Sequence, residues 1–123
     1  MGKTPDIEFR LVNTWSREEI VDLYRSAGWW CEEWDPAGVL PVIRGSYAFA
    51  VAVDRASGRA VGMGRVISDG VSDAYIQDLC LLSEYRRLGI GSGILSLLLD
   101  ACRRGGIEWI GLIAEKGTEG FYA

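Results

Sequence analysis

Three glycines alternate at a point where a helix begins. The stretch "EYRRLGIGSGILSLLLDACRR" places Gly89, Gly91 and Gly93 at the entrance to a long aliphatic segment with helical character. Glycine in a helix is disfavoured by about 1 kcal/mol relative to alanine, so three together imply a demand that other residues cannot meet. The first backbone N–H groups of a helix lack intrahelical acceptors, and the macrodipole puts partial positive charge there. Glycine lets an anion approach those amides and lets the turn take unusual dihedrals. Arg86 and Arg87 stand just ahead of them. A strand, two arginines, alternating glycines and a helix describe a phosphate cradle. A tight strand-to-helix turn accounts for one such glycine, but hardly for three beside two arginines.

Two nucleotide-binding loops fail the test of spacing. A dinucleotide fingerprint needs G-x-G-x-x-G opening the first βαβ unit, with an acidic residue about 20 positions on. Here the spacing is G-x-G-x-G, late in the chain and after a hairpin. The G-x-x-x-x-G-K-[ST] loop is missing too, since "GKT" at 2–4 has neither strand nor glycine loop before it.

Composition narrows the partners. The chain has 123 residues, 49% hydrophobic and 24% charged, which predicts one domain spanning residues 1–123. The net charge of −4 argues against nucleic acid, whose phosphates need a basic footprint. Histidine is absent, which leaves carboxylates, tyrosine or water as general bases and removes most zinc catalysis; no metal is expected. Cys31, Cys80 and Cys102 are odd in number and unpaired in spacing, as in reduced thiols of a cytoplasmic protein. There is no apolar leader at the N-terminus, and "ILSLLL" is far too short to cross a bilayer, so no membrane association is expected.

Local patterns then order the elements. Residues 7–12 read as a strand. Ser16 and Glu19 form a capping box ahead of a helix whose apolar stripe is Ile20, Leu23, Tyr24 and Ala27, ended by Gly28. Residues 29–46 hold a short second helix around 36–44. "YAFAVAVD" (47–54) and "RAVGMGRVIS" (59–68) read as a hairpin. Its first strand puts Tyr47, Phe49, Val51 and Val53 on one face and Ala48, Ala50 and Ala52 on the other. Gly62 and Gly64 share a face, which suggests close approach of a helix. A strand at 74–82, the glycine helix ending at Gly105-Gly106, and a strand at 108–114 complete a βαβ unit with parallel strands. Ser92, Ser96, Asp100, Arg103 and Arg104 give that helix one polar stripe. The class is α/β (α+β): a mixed, mostly antiparallel sheet with helices on both faces.

The segment Arg86-x-x-Gly89-x-Gly91, within "DLCLLSEYRRLGIGSGIL", closely resembles motif A of the GNAT superfamily of acyl-CoA N-acyltransferases. "DLCL" stands where that family carries "DL-x-V", "EYRR" where it carries "EYRG", and "FY" where it carries "FYEKLGF". The strong resemblance covers roughly residues 59–122, and the first half agrees in element order. It implies acetyl-CoA as co-substrate, and a central parallel strand pair that splays apart to admit the thioester. The amides of Arg87, Leu88, Gly89, Ile90, Gly91 and Ser92 would hold the coenzyme A pyrophosphate beside Arg86. The main chain of Leu79, Cys80 and Leu81 would pair with the pantetheine arm like an added strand. Tyr122 would protonate the departing thiolate.

Amine attack on a thioester also needs a proton acceptor. Asp78 and Glu115 are the candidates, although Asp78 could instead satisfy a backbone group and Glu115 could simply be solvated. Cys80 is expected to be packing. Trp29, Trp30 and Trp34 fall in the region that lines the family's acceptor pocket. With Glu32, Glu33 and Asp35 they would suit a cationic amine, while as a core cap they would serve packing alone. Family members continue past "FY" with two more strands, so the resemblance implies a sheet without its final hairpin. It also implies an exposed edge beside 108–114 and a homodimer covering it. The leading expectation is an N-acetyltransferase acting on a primary amine of a small molecule. The alternatives are a non-catalytic acyl-CoA-binding module and a protein N-acetyltransferase.

Overall fold

The alternation of large and small residues in the hairpin assigns each face of the sheet to a different helix layer. The computed structural model describes residues 4–112. It contains strands β1 (Ile7–Leu11), β2 (Ala48–Asp54), β3 (Arg59–Ser68), β4 (Asp73–Leu81) and β5 (Trp109–Leu112). Its helices are α1 (Arg17–Ser26), α2 (Val39–Gly45, entered through a 3-10 turn at Pro36–Gly38) and α3 (Ile90–Arg104). The strands lie in chain order in one mixed sheet, antiparallel from β1 to β4, with β5 parallel to β4 at one end of the described sheet. This is the GNAT-like α/β architecture expected from the sequence.

Phe49, Val51 and Val53 point into a layer shared with Ile20, Leu23 and Ile43 of α1 and α2. Ala50 and Ala52 point the other way, onto Ile94, Leu98 and Cys102 of α3. The small residues do on the α3 side what the pattern predicted. A Cβ on Gly62 would collide with Leu81 and lie 2.9 Å from Ile94 Cδ1, and one on Gly64 would lie 3.0 Å from Leu98 Cδ1. The helix therefore sits closer to the sheet than any side chain at these positions would allow. Gly93 has the same purpose from the helix side, because a Cβ there would run into the Phe9 ring on β1. Ser92, Ser96, Asp100, Arg103 and Arg104 are exposed, as the polar stripe requires.

The start of α1 departs from a full capping box. Ser16 accepts from the Glu19 N–H at 3.3 Å, but the Glu19 carboxylate turns away from the cap. Its Oε1 instead accepts from Trp15 Nε1 at 2.9 Å and from the Ala60 N–H of β3 at 2.8 Å. The glutamate thus ties the helix entrance to the sheet.

Overpacking a well-filled layer destabilises by about 1–3 kcal/mol. Gly62→Ala is therefore expected to lower the urea midpoint by an amount in that range, with an unchanged m-value. Gly45→Ala, where nothing lies within 4 Å, is expected to leave the midpoint in place or raise it slightly.

Candidate active site

Strict alternation along β4 would bury a carboxylate in an apolar layer. Ala74 and Ile76 face α3, so Asp78 would follow them. The strand avoids this with a β-bulge: Met63 pairs with Cys80 and Arg65 with Gln77, so two β4 residues, Asp78 and Leu79, oppose Gly64 alone. Asp78 adopts φ 58°, a left-handed conformation that aspartate tolerates better than most residues. Beyond the bulge the parity is reversed. Leu79 and Leu81 join Ile76 in the α3 layer, and Cys80 turns to the α1 layer.

The bulge delivers Asp78 to two donors. Arg65 Nε donates to its Oδ2 at 2.7 Å and Tyr24 Oη donates to the same oxygen at 2.8 Å. The Arg65 and Asp78 side chains are only 18% and 12% exposed, so this ion pair is largely shielded from solvent. Burial, and then the Asp78 charge, push the Tyr24 phenol well above its ordinary range, which keeps it a neutral donor. Asp78 Oδ1 makes no hydrogen bond among the described residues, and it remains open to a ligand. The expectation that Asp78 might serve a backbone group is replaced by this side-chain pairing.

Asp78 also borders a cavity of about 660 Å³ lined by Tyr24, Trp29, Trp30, Trp34 and Asp35, with Val39 and Val42 behind. Trp30 and Trp34 meet edge to face, with centroids 5.5 Å apart, and Tyr24 lies 6.3 Å from Trp30. Trp29 and Trp30 are at once cavity wall and cover for the α1 layer. The structure thus brings the three tryptophans and Asp78 to one place. It does not bring Glu32 or Glu33. Glu32 is held by Arg25 through two contacts of 2.8 Å, which lower its pKa, and Glu33 does not line the cavity. Of the three acidic residues expected there, Asp35 is present, and Asp78 supplies the second charge. A broader cleft of about 1100 Å³ lies at the other end of the sheet, near Arg10, Trp15, Tyr47 and Arg104. None of the candidate residues borders it.

On its far side β4 pairs with β5 over only part of its length among the described residues. β5 pairs with β4 from Asp73 to Ile76, and residues 77–81 have no partner there among the described residues. Cys80 and Leu81 pair with Met63 and Gly62 of β3, Leu79 falls in the bulge, and the Leu81 carbonyl also accepts from Ser26 Oγ at 3.5 Å. Cys80 is buried, with Sγ 3.7 Å from the Leu23 carbonyl, and burial pushes its thiol pKa up. That is the packing role expected of it.

From the end of β4 the chain turns through Ser83–Tyr85 into the glycine loop. Tyr85 Oη donates to Asp54 at 2.7 Å, and Arg86 Nη2 donates to the Ser26 carbonyl at 3.3 Å, so both ends of the turn are anchored. Arg87 (φ 65°) and Gly89 (φ 80°) are both left-handed. Gly89 is the N-cap of α3 and no side chain caps it. The first α3 bond from this end is Gly93 N–H to the Gly89 carbonyl, at 3.3 Å. The amides of Arg87, Leu88, Gly89, Ile90, Gly91 and Ser92 find no acceptor among the described residues. Such a run of donors at a positive helix end fits a phosphate group. Glu115 and Tyr122 lie outside the described residues. Sequence reasoning missed the hydrogen bonds of Arg65 and Tyr24 to Asp78; the Tyr24 ring packs in the apolar stripe of α1, as expected, while its hydroxyl reaches out of it.

The profile of the Acetyltransferase (GNAT) family matches residues 10–123, and the chain belongs to that family. Among curated proteins it is similar to serotonin N-acetyltransferase 2 of Oryza sativa subsp. japonica, a chloroplastic protein, with 33% identity over 66 residues. That match covers 54% of this chain and 33% of the rice protein, so the chain spans about a third of the length of the curated relatives it matches. Its fold is similar to a GNAT-family acetyltransferase of Streptococcus pneumoniae TIGR4, with TM-score 0.74 and 26% identity over 95% of this chain and 83% of that one. It is also similar in fold to PaiA N-acetyltransferase of Thermoplasma acidophilum, solved in complex with coenzyme A. There the TM-score is 0.75 at 20% identity, covering 95% of this chain and 84% of that one. Among the described residues no helix is long and apolar enough to cross a membrane, and no group of three metal-ligating side chains occurs.

Removing one partner of a shielded ion pair leaves the other charge uncompensated, at a cost of about 3–5 kcal/mol when burial is complete. Arg65→Met is therefore expected to destabilise by about 2–3 kcal/mol, with Arg65→Met/Asp78→Asn recovering part of the loss in a double-mutant cycle. Iodoacetamide with peptide mapping is expected to label half-buried Cys31 well before Cys80; equal rates would contradict the burial of Cys80.

Proposed function

We propose that this protein transfers an acetyl group from acetyl-CoA to the primary amine of a small molecule. The observation that carries this reading is the continuity of three features around β4. The backbone of Leu79–Leu81, with no β5 partner among the described residues, leads into the amides of Arg87–Ser92, which find no acceptor among those residues, and Asp78 opens the same strand onto the tryptophan cavity. The amides and Arg86 hold the pyrophosphate, and the pantetheine arm pairs with the β4 edge as an added strand. Family membership and the coenzyme A complex of the PaiA protein support this placement.

In that reaction the amine enters as an ammonium ion and first gives up a proton, so that its lone pair is free. Asp78 Oδ1 is the acceptor we assign; Glu115 is the second candidate. The nitrogen attacks the thioester carbonyl carbon and loses its further proton as the tetrahedral intermediate collapses. The C–S bond breaks, and the phenol of Tyr122 protonates the leaving thiolate. One acetamide, one free thiol and one proton result. Cys80 takes no part, since the thiolate needed for an acyl-enzyme is disfavoured by burial.

Thiol release from acetyl-CoA, followed with a panel of primary amines, tests the reading. Turnover is expected, with kcat in Asp78→Asn reduced by roughly 100-fold or more and the KM for acetyl-CoA little changed. Coenzyme A binding by calorimetry without turnover of any amine would favour the non-catalytic binding module. No binding at all would overturn both. A full rate in Tyr122→Phe would remove that residue's proposed acid role.

A further inference from the structure

The walls of the cavity discriminate among amines. Four of its lining side chains are aromatic (Tyr24, Trp29, Trp30 and Trp34) and two are carboxylates (Asp35 and Asp78), while no lysine or arginine is among the described residues that line it. Arg65 is near, but its guanidinium is spent on Asp78 at 2.7 Å. An amine carrying a phosphate or carboxylate would meet the Asp35 carboxylate at the rim and no free positive charge, since Arg65 is already paired with Asp78. An amine with a sugar-like body would strip water from its hydroxyls against indole faces that return few hydrogen bonds. A flat apolar body loses nothing on that surface, and an ammonium group gains from both carboxylates and indole quadrupoles.

The ordering of burial gives the cavity a direction. Trp34 is 55% exposed and Asp35 is exposed, so they form the rim. Asp78 is largely buried and marks the floor beside the β4 edge. An ammonium drawn in past Trp34 and Asp35 reaches Asp78 with its ring system between Trp30, Trp34 and Tyr24. We infer that the cavity selects arylalkylammonium compounds, organic cations with a flat aromatic body and a primary amine at the end of a short chain. The inference rests on the acetyl-transfer reading for its placement of the reacting end, but selection of the cation can be measured without any reaction.

The test is calorimetry on the full chain saturated with coenzyme A, using 2-phenylethylamine, n-butylamine and glucosamine 6-phosphate as probes. 2-Phenylethylamine is expected to bind at least tenfold more tightly than n-butylamine, and glucosamine 6-phosphate not measurably. Trp34→Ala removes a rim side chain outside the packed layers and is expected to weaken the aromatic amine roughly tenfold. Asp35→Asn keeps a side-chain oxygen for the Ala37 amide, which Asp35 Oδ1 now caps at 2.9 Å, and is expected to weaken it several-fold. Equal or tighter binding of the phosphorylated aminosugar or the aliphatic amine overturns the inference, as does unchanged binding in both variants. Selective binding of 2-phenylethylamine without turnover of acetyl-CoA would uphold it and remove the transfer reading. Turnover of other amines with no binding of the aromatic one would do the reverse.

Discussion

One extra residue in β4 organises the site. Without the bulge at Asp78, a carboxylate would lie against Ile94 and Leu98, where an unpaired charge is untenable. With it, Asp78 turns to Arg65 and Tyr24, Leu79 and Leu81 stay in the α3 layer, and Cys80 seals the opposite one. The strain of a left-handed aspartate is of order 1 kcal/mol, and two charge-assisted hydrogen bonds offset it.

The second half of the site depends on close packing elsewhere. α3 presents its free amides beside the end of β4 because Gly62, Gly64 and Gly93 let it settle against β3 and β1. A Cβ at those positions would crowd Leu81 and Ile94, Leu98 and Leu79, and the Phe9 ring in turn, so side chains in the helix–sheet layer would have to shift. Of the three glycines at the helix entrance, Gly89 supplies a left-handed turn and Gly93 supplies room for the Phe9 ring. These are different physical demands met by the same residue type.

Much of this was legible in the sequence, and for local reasons. The glycine loop, the Phe/Val and Ala faces of β2 and the exposed stripe of α3 are patterns of period two or 3.6, readable within one element. The tryptophans could be assigned to a region, though not to wall or core, and they turn out to contribute to both. What escaped was decided across the chain. Glu19 prefers the Ala60 amide of β3 to its own helix cap, Glu32 prefers Arg25 to the cavity, and the Tyr24 hydroxyl reaches Asp78 from the edge of the apolar stripe. Alternation on either side of Asp78 looks regular, so the bulge shows only in the change of parity across it. The clue was there: apolar residues at 74 and 76 and again at 79 and 81 can share a face only if one residue between them is skipped.

In the proposed reaction the Arg87–Ser92 amides and the Leu79–Leu81 edge together hold coenzyme A. Titrating coenzyme A into the ¹⁵N-labelled protein and following backbone amide resonances tests it most directly. The account predicts that the largest shifts fall on residues 79–81 and 87–92, with downfield movement of the loop amides as they gain phosphate acceptors. Shifts centred on the Arg10–Trp15 cleft, with the glycine-loop amides unmoved, would contradict it.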